Sequence, residues 1–115
     1  MQFDRISVQE LKEMLAGSSP PAVVDVRAPQ HYAAGHIPGA KHAPTGHGAD
    51  AAAGVPRDQL VLTYCDKKQR AKASQEYRCE RVAGKAAAQG YRVAVLDGGF
   101  PAWRRAGLPV ERAPV

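Results

Sequence analysis

Leu60-Val61-Leu62-Thr63-Tyr64-Cys65 is the stretch from which the fold is read. Five apolar or β-branched residues in a row suit a strand buried on both faces, as in a parallel sheet. The cysteine then falls just past the strand's carboxyl end. In open parallel sheets that edge is where ligands bind. Working outward, Ala22-Val23-Val24-Asp25-Val26 and Val93-Ala94-Val95-Leu96 are two further runs of the same kind. Helical patterns separate the three runs, which predicts an α/β domain built on a mostly parallel sheet.

The helices carry their own punctuation. Ser7-Val8-Gln9-Glu10 is a capping box, followed by Leu11, Met14 and Leu15 at helical spacing. Gly17 and the cluster Ser18-Ser19-Pro20-Pro21 end that helix. A second helix is expected within Arg70 to Gln89, where Cys79, Val82, Ala83 and Ala86 form one apolar stripe. Gly90 suits the position that stops it. Asp97-Gly98-Gly99 turns into a last short helix carrying Trp103. Gly35-His36-Ile37-Pro38-Gly39-Ala40 reads as a turn segment, and residues 43 to 57 as a surface loop.

With 115 residues, the chain has the usual size of one domain, and residues 1–115 are expected to form a single one. Its apolar runs are too short to span a membrane. The start, MQFDRISVQELKEM, lacks the layout of a signal peptide, so a cytoplasmic protein is expected. The net charge of +5 comes from scattered basic residues, without a nucleic-acid motif. A solvated basic surface with a local field for a small anion is the expectation. Two cysteines do not make a disulfide framework. Neither they nor His31, His36, His42 and His47 show a structural zinc spacing, so neither metal nor cofactor is expected.

Cys65 is the candidate nucleophile. The segment Cys65-Asp66-Lys67-Lys68-Gln69-Arg70 joins a strand end to a helix start. Such a loop can turn successive N–H groups inward as an anion-binding nest. A helix N-terminus adds partial positive charge, and Lys67, Lys68 and Arg70 add full charges. All favour the thiolate. Asp66, Lys67, Lys68, Gln69 and Arg70 are therefore the expected substrate-binding residues, although Asp66 works against the positive field. Cys79, on the apolar helix stripe, is expected to be a packing residue.

With these residues placed, the chain resembles the rhodanese family along nearly its whole length. Val24-Asp25-Val26-Arg27, then Tyr32 and Gly35 to Ala40, is similar to the family's first signature. Tyr64-Cys65 with Arg70 is similar to its active-site loop. Leu96-Asp97-Gly98-Gly99-Phe100, Ala102-Trp103 and Gly107-Leu108-Pro109-Val110 are similar to its closing signature. The resemblance implies a three-layer sandwich with a central five-stranded sheet flanked by helices. It implies a sulfurtransferase that takes sulfane sulfur from thiosulfate or a similar donor. A persulfide on Cys65 would pass that sulfur to cyanide or a thiol acceptor, with a sulfur-relay protein as a conceivable partner. A monomer or weak dimer is expected. Asp25, Arg27 and His36 become structural supports, since a buried charge is tolerable when paired.

The chain departs from the family where Ala71 follows the loop arginine and where His31 precedes Tyr32. The stretch from Cys65 to Gly90 is also about eight residues, or two helical turns, longer than expected. Either Arg70 closes a compact loop before a longer helix, or Arg78 closes an expanded loop; the spacing Cys65-x-x-x-x-Arg70 favours the first. Arsenate reductase or phosphatase chemistry on a similar fold, and a non-catalytic interaction module, are the alternatives.

Overall fold

A computed structural model describes residues 4–43, 54–66 and 78–112. Five strands form one all-parallel sheet in the order β1-β5-β4-β2-β3. They are β1 (Asp4–Ile6), β2 (Ala22–Asp25), β3 (Lys41–His42), β4 (Val61–Tyr64) and β5 (Val93–Leu96). The three apolar runs read from the sequence are the three inner strands. The edges β1 and β3 are short, and their charged and polar residues give no strand signal. Short, charged edges also discourage pairing with other chains.

Alternation along the inner strands sorts side chains to two faces. Val24, Val26, Val61, Cys65, Val93 and Val95 face α3 (Arg78–Ala88), which supplies Cys79, Val82, Ala83 and Ala86. Val23, Leu62, Tyr64, Ala94 and Leu96 face α1 (Val8–Leu15) and α4 (Gly99–Arg105), which supply Leu11, Phe100 and Trp103. Helices thus cover both faces of the sheet, giving the three layers of an α/β sandwich.

The expected punctuation is present. Ser7 and Glu10 satisfy each other's backbone N–H at 3.1 Å. Beyond α3, Gly90 has φ +95°. Its N–H reaches Ala87 O and that of Tyr91 reaches Ala86 O, which together form a Schellman stop. The short helix α2 (Pro29–Ala34) buries no residue, and so leaves no apolar stripe to read. One expectation is corrected at the start of the supposed surface loop. Ala43 is buried, because its N–H continues the ladder to Asp25 O at 2.9 Å. Residues 44–53 of that loop lie outside the described residues.

Candidate active site

Cys65 sits where β4, a central strand, ends. It is only 1% exposed. Its carbonyl accepts a hydrogen bond from Phe100 N–H at 2.9 Å, which ties the first turn of α4 to the nucleophile's backbone. That turn needs glycine. Gly98 has φ +81°, and a Cβ there would lie 2.6 Å from the Ala102 Cβ. The thiol points into the apolar layer beneath α3, where Cys65 Sγ and Cys79 Sγ are hydrogen-bonded at 3.2 Å. Cys79 therefore packs in the core and also touches Cys65. Sequence separation hid this contact, since the crossover from β4 to α3 creates it.

On the opposite face of the same strand end lies a polar network. Tyr64 O–H donates to Asp25 Oδ2 at 2.6 Å and accepts from Ile37 N–H at 3.1 Å. Arg27 grips the Asp25 carboxylate through Nε and Nη2, at 3.0 and 2.8 Å to Oδ2. It also donates to Gly35 O, and its guanidinium carbon lies 4.1 Å from the Phe100 ring centroid. Burial would lower the Arg27 pKa, but the Asp25 hydrogen bonds and charge more than offset it, and the guanidinium stays firmly charged. Burial, followed by the Asp25 charge, pushes the Tyr64 phenol well above its ordinary range. His36 stacks on Tyr32 at 3.9 Å. Its Nδ1 meets Tyr32 O at 2.8 Å and its Nε2 meets Glu111 Oε1 at 3.2 Å. Both ring nitrogens are thus engaged in holding α2 and the C-terminal segment together.

Asp66 lies beside the Arg27 guanidinium and the His31 ring, which bears on the objection its charge raises. One oxygen lies 3.5 Å from Arg27 Nη1 and the other 3.3 Å from His31 Nδ1. Its charge is therefore turned toward Arg27 and His31. Beside it opens a cleft of about 730 Å³ lined by Arg27, His31, Asp66, Phe100, Arg104, Arg105 and Arg112, among others. The sequence reading missed Arg104, Arg105 and Arg112, because residues from α4 and the C-terminal segment meet there only in the fold. Lys67, Lys68, Gln69 and Arg70 lie outside the described residues. So does the segment that would separate the two loop alignments; Arg78 is the first residue of α3 as described.

A parallel sheet with helices on both faces and a buried cysteine at a central strand's end defines an α/β three-layer protein with its candidate site at the sheet's carboxyl edge. A family model described as the rhodanese-like domain matches residues 7–106, and the chain belongs to that family. It is 32% identical over 112 residues to thiosulfate sulfurtransferase GlpE of Ectopseudomonas mendocina, covering 97% of this chain and 94% of that protein. It is 42% identical over 94 residues to an HTH-type transcriptional regulator of Mycobacterium tuberculosis. That match covers 81% of this chain but spans only 39% of the regulator. Among solved structures, a rhodanese-like domain protein from Staphylococcus aureus superposes with a TM-score of 0.76 at 26% identity. That match covers 97% of this chain and all of the other. Among the described residues no helix is long and apolar enough to cross a membrane.

Proposed function

We propose that the protein is a sulfurtransferase in which Cys65 carries the sulfur. The observation that supports this most strongly is the address of Cys65: a cysteine at the carboxyl end of a central parallel strand, next in sequence to Asp66, which lines an arginine-rich cleft. The likeness to a thiosulfate sulfurtransferase over nearly the full length of both chains supports the same reading. In the first step the Cys65 thiolate attacks the sulfane sulfur of thiosulfate. The S–S bond of the donor breaks, sulfite leaves with its electron pair, and a Cys65 persulfide forms. In the second step cyanide or a thiolate takes the outer sulfur and returns the Cys65 thiolate.

The division of labour follows from the surroundings. Arg27, Asp25 and Tyr64 hold the strand end rigid. Arg104, Arg105 and Arg112 supply a positive approach for a dianionic donor, and Lys67, Lys68 and Arg70 would continue that field into the loop. His36 is a scaffold residue, since a thiolate formed in advance needs no general base. The working site is expected in a cytoplasmic protein, with Gln69 and the loop backbone as further donor contacts.

Incubation with thiosulfate followed by intact mass measurement tests the reading. The wild type should become one sulfur atom heavier and release one sulfite, and cyanide should remove the added sulfur as thiocyanate. Cys65→Ser should do none of this. A Cys65→Ser variant that still produced thiocyanate would overturn the assignment. Arsenate reduction or aryl phosphate hydrolysis, lost in the same variant, would move the protein to the other chemistry of this fold. The family-like spacing of Cys65 and Arg70 has one residue fewer than a loop of that class, so negligible activity of either kind is expected.

A further inference from the structure

The mechanism above leaves one nucleophile unused. Cys79 is 4% exposed, on α3, and its Sγ lies 3.2 Å from that of Cys65. This is the separation of two atoms poised to react, roughly 3–3.5 Å. It must shorten only to the roughly 2.05 Å of a disulfide. The crevice beside the two sulfurs is about 10 Å³ and is lined by Arg5, Glu80, Val95, Leu96 and Gly99. At most one water fits such a space. Among the described residues, the sulfur that Cys79 meets there is that of Cys65.

Resting on the reading of Cys65 as sulfur carrier, we propose that Cys79 is a resolving thiol that discharges the persulfide as sulfide. Cys79 Sγ attacks Cys65 Sγ, the bond between Cys65 Sγ and the outer sulfur breaks, and the outer sulfur leaves as HS⁻. The Cys79 proton goes to the departing sulfur, so the anionic persulfide and one thiol become one disulfide and one hydrosulfide. Two equivalents of an external thiol then reduce the Cys65–Cys79 disulfide. Over a full cycle, thiosulfate and two thiols give sulfite, hydrogen sulfide and one oxidised thiol pair.

The two sulfurs also explain why this step follows sulfur loading and does not compete with it. While Cys65 is a thiolate, the shared hydrogen bond, followed by burial and by the Cys65 charge, drives the Cys79 pKa far above its usual range. Cys79 keeps its proton and is inert. Once Cys65 Sγ is bonded to a second sulfur, it is no longer the charged acceptor of that proton. It becomes an electrophile with a good leaving group attached.

The test is loading with thiosulfate in the absence of any reducing thiol, with sulfite, sulfide and protein mass followed together. Wild type should pass through a species one sulfur heavier to one two hydrogens lighter than the reduced protein. Sulfide should appear in step, and peptide mapping should show Cys65 linked to Cys79. In Cys79→Ser and Cys79→Ala the heavier species should persist, with sulfide release lowered about tenfold or more. Wild type that loads and then stays one sulfur heavier without releasing sulfide overturns the proposal while leaving Cys65 as the carrier. Wild type that takes up no sulfur removes the carrier reading, and the resolving step falls with it. Should neither variant fold, the wild-type mass sequence and linkage decide alone.

Discussion

The two faces of the sheet at the end of β4 contrast in how they treat polar groups. Tyr64 faces one layer and Cys65 the other. On the Tyr64 side, Asp25, Arg27, Tyr64 and the Ile37 N–H are joined by short hydrogen bonds. On the Cys65 side, two sulfurs meet among valines and alanines. A satisfied buried network fixes one geometry, because breaking any member strands another. A soft pair of thiols makes a weaker, less directional contact. One face fixes the position of the strand end, and the other holds the sulfur proposed to react.

If that contrast holds, the largest loss of stability should come from the polar face. Arg27→Ala leaves the Asp25 carboxylate buried, with Tyr64 and the Arg27 backbone N–H as its remaining partners. Removing one partner of a buried pair costs about 3–5 kcal/mol. Urea unfolding should therefore show a large drop in the midpoint. Asp25→Asn combined with Arg27→Met should recover part of it, since the uncompensated charge is then gone. A drop below about 1 kcal/mol for Arg27→Ala would mean the network is solvated.

Gly98→Ala breaks the link between the faces at the backbone. The residue adopts φ +81°, and the added Cβ meets the Ala102 Cβ at 2.6 Å. A strained left-handed residue costs about 1–3 kcal/mol, and α4 must also shift to relieve the clash. Because Phe100 N–H is bonded to Cys65 O, sulfur loading should slow as well as thermal stability fall. An unchanged loading rate in a destabilised variant would show that α4 supports the fold without positioning Cys65.

Much of this arrangement is legible in the sequence, for reasons that differ by element. The inner strands announce themselves because both faces are buried and nearly every residue must be apolar. The box at Ser7 and Glu10 and the stop at Gly90 are local, since all their partners lie within a few residues. The edge strands β1 and β3 and the helix α2 bury too little to leave a pattern. The site is harder still. Cys65 stands out through its place past a buried strand, and Asp25 and Arg27 through the family signature, but Asp66 lies against Arg27 and His31, and Cys65 touches Cys79. Those pairings are set by strand order, which no local pattern encodes.

Tyr64→Phe sharpens the comparison with a smaller change. It removes one hydroxyl and leaves the Ile37 N–H without that acceptor and Asp25 without that donor. Stranding buried polar partners costs about 1–3 kcal/mol. The same residue predicts an alkaline dependence. The folded phenol ionises well above its ordinary pKa, whereas in the unfolded chain it ionises near 10. Above that pH the unfolded state releases a proton that the folded state keeps, so wild-type stability falls as pH rises. The difference between wild type and Tyr64→Phe should narrow there, and a constant gap across the alkaline range would contradict the burial of this hydroxyl.

The smallest effect is expected at the rim of the cleft. Arg104 and Arg105 are exposed and line the cleft beside Asp66, so they act on a donor through screened charge. Exposed charge pairs are worth about 0.2–1 kcal/mol each. Arg104→Ala with Arg105→Ala should therefore raise the KM for thiosulfate only severalfold at low ionic strength. The turnover number should change less, because attraction of this kind acts on bound substrate and transition state alike. The effect should fade as salt rises, since screening acts within about 10 Å at 0.1 M. A neutral sulfur acceptor should show no such salt dependence in its own KM. Stability should barely move, in contrast to Arg27→Ala, although Arg27 lines the same cleft. If the rim variant lost stability instead of affinity, the cleft would belong to the rigid face, and the donor would have to reach Cys65 by another path.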